Sequence, residues 1–521
     1  MSEHRLVNFS SIELIPAGPP FSNFDFVDNE FGSVPAIRRL FSQARSYGCQ
    51  TVVVESIPAT GVIAEDDAEL SSLFPDFKPA GLQRLSFWKT PLKSEKELLH
   101  SKSRSFLGFA ILKRDNVPSR KINDWYVFES VIVKYPHEHN CVRSAAEFHV
   151  RLGENNFSVT GFLYCQQNAL NKACAQVALR ALLGTLHADQ DLSYRQINAW
   201  ASTNEPWMGL NVSQIQRVLK GAGIGFYDID YCSRTKDERC NLPPYQKLLY
   251  AGIESGAGAL LGFRLSGKGL TDETRHIVPF FGHTFNQDAW VPHAELAYFH
   301  VGETTRYLPS QAWASSFIGH DDNFGSNFCV PRLYIDEDKA DYVVELLRDG
   351  CVYSGDTAEA VAVDFLYSIL PQISNRDLLW LRRLIDHVLE QKVVLRAICL
   401  SAKEYIRHWR YSRDWQANVE NRDLCSAIHP LLPKQLWVVE VSVPELFSAN
   451  LHKVGEIILD ATQQPTIERD FRLFVCARVP GNLVVLQDVS ATGVPSFFCV
   501  PSQLQSHTPL FGCKRQRSGD K

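Results

Sequence analysis

Cys174 opens the run ACAQVALRALL, residues 173–183, whose apolar spacing and strong helix formers predict a largely buried helix. A thiol at a helix start lies at the positive end of the helix dipole, which stabilises thiolate and lowers the thiol pKa. Thiolate attacks acyl carbonyls, and it needs a base to take and return the proton. His276 is the best base candidate, because it starts the apolar strand HIVPFF and a strand end can reach the mouth of a neighbouring helix. His283, in GHTFNQDAW, competes with it. The base needs an acceptor on its other ring nitrogen. Asp321 and Asp322, in GHDDNFG, and Asp288 are the candidates, with Asp321 preferred at the end of the next core strand. Gln167, Asn168 and Asn171 precede Cys174 and offer side-chain amides for the oxyanion that such an attack creates. The competing reading is an alanine-flanked cysteine that only fills a helix core.

The elements that would position these groups follow from local pattern. Around the nucleophile, helices are expected at Leu192–Trp200, Val212–Lys220 and Tyr245–Gly252, with strands at Ala259–Leu265 and His276–Phe281. Pro279 argues that the second of these strands is an edge strand or is distorted. A third strand, Ser315–Ile318, leads into GHDDNFG. Upstream, residues 1–35 read as irregular, followed by a helix at Ala36–Tyr47 and strands at Thr51–Glu55, Phe106–Lys113, Trp125–Val133 and Ala145–Leu152. Downstream, helices are expected at Ala340–Leu347, Ala358–Ile369, Leu378–Glu390 and Ser401–Trp409, and strands at Leu436–Val443, Glu456–Leu459, Phe471–Val479 and Leu483–Gln487. The fold class is α+β in three regions: a β-rich or α+β accessory domain over 1–155, a core over 156–330, and an α+β accessory domain over 331–521. The length of 521 residues agrees with about three domains at roughly 150 residues each.

Composition narrows the class of function. Apolar residues make up 45% and charged residues 21%, as in ordinary globular protein. Lys and Arg number 53 against 58 Asp and Glu, a net charge of -5 that disfavours a broad nucleic-acid footprint. The basic group Lys514, Arg515 and Arg517 reads as a solvated end. Thirteen scattered cysteines without a CxxC pair speak against a disulfide framework or a zinc ribbon and for reduced thiols. With no secretory signal or transmembrane segment in the sequence, a cytoplasmic location is expected. HEHNC, with His137, His139 and Cys141, lacks a fourth metal ligand and reads as a polar turn. GAGALLG reads as a tight turn into a buried strand. KEYIRHWRYSRD, residues 403–414, reads as a solvated helix face with an apolar anchor.

Residues 164–184 and 276–282 resemble the papain-like cysteine peptidase superfamily, especially its bacteriocin-processing branch. The shared features are a polar Gln/Asn segment, a cysteine that opens a central helix, and a strand-borne histidine before glycine. GLNVSQIQRVLKGAGI, residues 209–224, looks like that branch's middle helix and turn. The resemblance covers roughly residues 165–325. It implies a papain-like core, a helical lobe plus an antiparallel sheet lobe, with Cys174 as nucleophile, His276 as base and Asp321 as the orienting acid. It also implies Gln167 as oxyanion donor beside the Cys174 backbone N–H. Peptide or isopeptide hydrolysis on a protein or peptide substrate is the implied activity, with acyl transfer or deamidation, or a catalytically inactive interaction scaffold, as alternatives. No cofactor and no metal are called for. Two departures stand out. Asn168 occupies the usual glutamine position, with Gln167 one residue earlier. Residues 286–314, with Trp290, Pro292, Tyr298 and Trp313, would form an insertion that shapes or covers the cleft.

Overall fold

The computed structural model describes residues 12–18, 24–134, 140–152, 155–168, 170–239, 242–265, 274–285, 307–373, 378–410, 426, 428–467, 470–490, 494–502 and 507–512. Three main sheets and the helices between them make an α+β architecture.

The first sheet is antiparallel in the order β1 (Ile12–Pro16), β2 (Thr51–Ser56), β3 (Lys78–Trp88), β4 (Phe106–Asn116), β5 (Trp125–Ile132). Side chains alternate across it with period two. Val52 and Val54 join the core under α1 (Phe24–Phe31) and α2 (Pro35–Ser46), with Val27, Ile37 and Leu40. Val53 faces the opposite way, into a core shared with Ile63 of α3 (Gly61–Leu73). The short helix α4 (Glu95–Leu99) starts at Ser94, whose hydroxyl accepts the Glu97 N–H. The expectation of an irregular stretch over residues 1–35 is corrected here: IELIP pairs with β2 from Ile12↔Glu55 to Pro16↔Thr51, and α1 follows.

Beyond β6 (Asn140–Val142) and the hairpin β7 (Ala146–Leu152) and β8 (Asn155–Gly161), the chain enters α5 (Cys174–Leu186), α6 (Tyr194–Ala201) and α7 (Val212–Gly221). Every residue of α5 from Ala175 to Thr185 is buried. Leu179 and its neighbours share one core with Val53 and Phe109 of the first sheet and with Ile277, Phe281 and Ile318 of the second. The helix is thus held between two sheets, which accounts for its apolar character all round.

The second sheet comprises β9 (Phe226–Asp230), β10 (Ala259–Leu265), β11 (Thr274–Phe285), β13 (Ala314–Asp321), β14 (Gly325–Pro331) and β15 (Ala340–Leu346), in the order β14-β13-β11-β10-β15-β9, with β6 also on β11. Helices α8 (Lys236–Arg239) and α9 (Tyr245–Ser255) lie between β9 and β10 in the chain, and α9 packs through Leu249 and Ile253 against Leu261 and Val278. Gly256 and Gly258 hold φ near +85° and +88° in the turn from α9 into β10, a conformation that favours glycine.

Two expectations are revised by this sheet. Ala340–Leu347 was expected as a helix and is the strand β15, paired with β10 and β9. A strand covered on both faces shows a continuous apolar run, which periodicity alone does not separate from a helix segment. β11 is an interior strand, so of the two readings of Pro279 the edge falls and the distortion stands. Pro279 is accommodated because pairing with β13 starts only at Phe280 and shifts register by Gly282. The sheet reaches past both expected core limits, taking residues 140–142 from before 156 and 340–346 from after 330.

In the third sheet β12 (Leu308–Pro309) runs parallel to β16 (Val394–Ser401). β17 (Gln435–Ser442), β19 (Gly455–Asp460), β20 (Phe474–Val479), β21 (Asn482–Val489) and β22 (Pro495–Pro501) continue it antiparallel, beside the small pair β18 (His452–Lys453) and β23 (Thr508–Pro509). The helices Gly355–Ser368 and Leu379–Leu389 cover one face. The helix Ala402–Arg410 covers the other through Tyr405 and Trp409, the apolar anchor expected of that basic segment. Arg396 of β16 ties the second and third sheets together. It bonds both Glu254 oxygens of α9, at 3.1 and 3.0 Å, and Glu440 of β17 at 2.9 Å. Among the described residues no helix is long and apolar enough to cross a membrane.

Candidate active site

Cys174 is the first residue of α5, and the residue before it is Ala173, which has no side chain able to cap the helix. Gln176 instead bonds the Ala173 N–H (3.3 Å) and donates to the Pro206 carbonyl (2.8 Å). The first N–H groups of the helix are orphaned by geometry and carry the positive end of its dipole beside the half-buried thiol.

β11 carries His276 to that helix start. A ring nitrogen of His276 lies within 4.8 Å of the Cys174 Sγ. Its Nε2 lies 3.2 Å from Asp321 Oδ2 and 3.5 Å from Asp322 Oδ1. Asp321 ends β13, and its Oδ1 accepts the backbone N–H groups of Asn323 (2.9 Å) and Phe324 (3.0 Å), which fixes the carboxylate. Phe263 of β10, the register partner of His276, sets its ring edge-on to the imidazole, 5.6 Å between centroids. The three side chains singled out from the sequence as nucleophile, base and acid therefore meet at one place.

The remaining candidates are placed as follows. Gln167 Nε2 donates to Asn323 Oδ1 at 2.7 Å, so its amide is tied to the loop after Asp321. Asn168 closes its own turn: its Oδ1 accepts the Leu170 and Asn171 N–H groups and its Nδ2 donates to Asn171 Oδ1. Asn171 points behind the site, to Asp66 and Glu69. His283 is buried elsewhere, 2.8 Å from Glu254, and is not the base beside Cys174. Asp288, like Trp290, Pro292 and Tyr298, lies outside the described residues, whereas Trp313 is buried against Phe447.

The electrostatics favour a charged His276–Asp321 pair. Burial works against the imidazolium of His276, but the hydrogen bonds to Asp321 and Cys174 and the charges of Asp322 and Asp321 outweigh it, raising the pKa from 6.5 to about 10. The folded chain keeps this proton where the unfolded chain has lost it. The resulting stabilisation is complete below about pH 6.5 and disappears as pH rises through about 10. Burial raises Asp321 as well, yet the imidazole and the two N–H groups hold it below the ordinary carboxylate value.

Asp322 behaves differently. Burial pushes its pKa from 3.8 to about 7; His276 pulls it down and the Asp321 charge pushes it further up. Its Oδ2 and the neighbouring Tyr164 hydroxyl are buried with no hydrogen-bond partner. The folded state retains the Asp322 proton between about pH 3.8 and 7, where the unfolded chain has released it, so stability falls as pH rises through that window. Asp322→Asn is therefore expected to melt higher than wild type by a margin that grows from pH 5 to pH 8. Thermal melts of both proteins across that range check it, and a margin independent of pH would contradict it.

A cleft of about 690 Å³ opens in front of the pair. Cys174 and His276 line it together with Phe263, Tyr342, Met208 and Asn211. Asp341, on the same wall, is matched by Arg264 at 2.9 Å and Arg275 at 3.6 Å. Tyr342 and Asp341 come from β15, the segment whose helix-like sequence hid this wall.

Behind the site, the first sheet and α3 grip the residues just before Cys174. Asp66 Oδ1 accepts from Asn171 Nδ2 (2.7 Å) and Lys172 Nζ (3.2 Å), and Asp66 Oδ2 from Lys113 Nζ (2.5 Å). Lys113 also meets Asp67 and Asp115, each at 2.9 Å. From α2, Arg39 donates to the Ser326 and Asn327 carbonyls, each at 2.8 Å, which secures the hairpin that carries Asp321.

Among the described residues, two groups of side chains bring three metal-type ligand atoms within 4.8 Å of one another. One is Cys174, His276 and Asp322; the other is Cys141, Glu254 and His283. In the second, both Glu254 oxygens are already bonded to Arg396, and Oε1 also to His283, so a guanidinium supplies the positive charge there. His137 and His139 lie outside the described residues, and Cys141 belongs to β6. No family model, curated protein or solved structure matches this chain.

Proposed function

We propose that this chain is a cysteine-nucleophile acyl hydrolase with a papain-like core, acting on a peptide or isopeptide bond. The observation that carries the reading is the convergence of Cys174, His276 and Asp321 at the end of a solvent-open cleft. With Nε2 held by Asp321, Nδ1 is the ring nitrogen left to exchange a proton with the thiol. Cys174 thiolate attacks the acyl carbonyl, and the backbone N–H at the start of α5 stabilises the oxyanion. Gln167 is the side-chain donor of that pair once its hydrogen bond to Asn323 is exchanged for one to substrate. The His276 imidazolium protonates the departing amine, and the acyl-enzyme forms. Water then attacks, with His276 taking its proton, and the acid product leaves. The regions around this core act as its supports: the first sheet buttresses α5, and the third docks on α9.

The test is product mass together with a base variant. Peptide turned over by the wild type should gain the mass of one water, while transfer to an amine would add the acceptor instead. His276→Ala should lower kcat by about 10²-fold or more. Undiminished turnover in His276→Ala would remove the base assignment and with it this reading.

A further inference from the structure

Cys351 and Cys399 are buried outside the acyl chemistry, and their sulfurs lie 2.9 Å apart, well inside van der Waals contact. Cys351 follows the second sheet in the chain and Cys399 is part of the third, and both side chains lie in the apolar core beneath the third sheet. Cys351 sits in the turn that leaves β15, its N–H bonded to the Arg348 carbonyl. Cys399 lies within β16 of the third sheet. The Cys399 carbonyl is itself fixed by two guanidinium groups, from Arg143 at 2.6 Å and Arg348 at 3.3 Å. Burial opposes ionisation, but the Cys351 thiol and the charges of Arg348 and Arg143 lower the Cys399 pKa, whereas that of Cys351 is raised by its hydrogen bond to Cys399 and by burial. A disulfide requires the sulfurs to close by about 0.9 Å, to roughly 2.05 Å.

We propose that Cys351 and Cys399 form a reversible disulfide under peroxide, an oxidation-dependent staple between the sheet that carries His276 and the third sheet. The chemistry balances with hydrogen peroxide as oxidant. One sulfur, as thiolate, attacks a peroxide oxygen and breaks the O–O bond, giving a sulfenic acid and hydroxide. The second thiol attacks that sulfur, forms the S–S bond and expels the oxygen as water. Two thiols and one peroxide give one disulfide and two waters. Peroxide is small enough to reach a pair of which Cys351 is 6% exposed. The bond would enclose the helices Gly355–Ser368 and Leu379–Leu389 in a covalent loop. It would also fix the exit of β15, whose first residues Asp341 and Tyr342 wall the cleft. The staple does not depend on Cys174 having any activity.

The experiment uses the full-length protein, titrated with hydrogen peroxide, unfolded in N-ethylmaleimide, digested without reductant and mapped by tandem mass spectrometry. The expected product is a peptide pair joined through Cys351 and Cys399, lighter by two hydrogens, released by dithiothreitol and absent from Cys351→Ala and Cys399→Ala. Oxidised wild type should melt higher than reduced by about 5 °C. The exposed Cys499 is the internal control for oxidant dose. If Cys351 and Cys399 both carry maleimide at a dose that oxidises Cys499, the proposal is overturned; so is a map in which either pairs with a different cysteine. The wild-type map alone decides this, whether or not the variants fold.

Discussion

Replacing Cys174 by alanine is expected to lower turnover by about 10⁴-fold or more and to move the melting temperature by no more than about 2 °C. The two halves of this expectation have separate physical origins. Turnover falls because, among the described residues, no other thiol meets His276 and the N–H groups at the start of α5 in this way. Stability is little affected because alanine is the best helix former and His276 keeps its bond to Asp321. Cys174→Ser tests the same point more finely. A hydroxyl preserves the size of the side chain, but it is a far weaker acid than a thiol and gives almost no anion beside the same imidazole. Steady-state kinetics and thermal melts on the three proteins decide it. Activity within tenfold of wild type in Cys174→Ala would show that the chemistry is elsewhere.

The second large effect is expected at Asp66, which does not line the cleft. Burial alone would raise its pKa, but the ammonium groups of Lys113 and Lys172 hold it well below the ordinary carboxylate range. Asp66→Ala leaves the buried Lys172 ammonium without the Asp66 carboxylate and Asn171 with Glu69 alone. Breaking a buried pair from one side costs about 3–5 kcal/mol, which corresponds to a fall of about 10 °C in melting temperature. Turnover should fall with it, because Asn171 and Lys172 set the path of the chain into Cys174. The pH dependence has a definite sign. A carboxylate depressed in the folded state stabilises above about pH 3.8 and ceases to do so as pH falls. Asp66→Asn should therefore be less stable than wild type at pH 7 and approach it in acid. Equal stability at pH 7 would mean that the network is not holding the nucleophile loop.

What could be read in advance follows from how local each signal is. The run after Cys174 consists of strong helix formers, so the helix and the thiol at its start are encoded within a dozen residues. His276 and Asp321 lie at strand positions that their own neighbours indicate. The orientation of Gln167 and Asn168 was not legible, because it depends on one turn and on Asn323, far away in sequence. β15 was misread because a strand buried on both faces has no alternation to show, and β3 escaped notice because only its second half is buried. Nothing in the acidic run of α3 marks one of its carboxylates as buried. Only the arrival of Lys113 and Lys172 from other elements makes Asp66 a buried anchor.

The most direct measurement reacts the full-length protein at pH 7 with a peptidyl vinyl sulfone and maps the adduct by tandem mass spectrometry. The expected result is one adduct, on Cys174 Sγ, forming at least about 10²-fold more slowly in His276→Ala. Label on Cys232 or Cys499, both more exposed thiols, with Cys174 unmodified, would contradict the assignment of Cys174 as nucleophile.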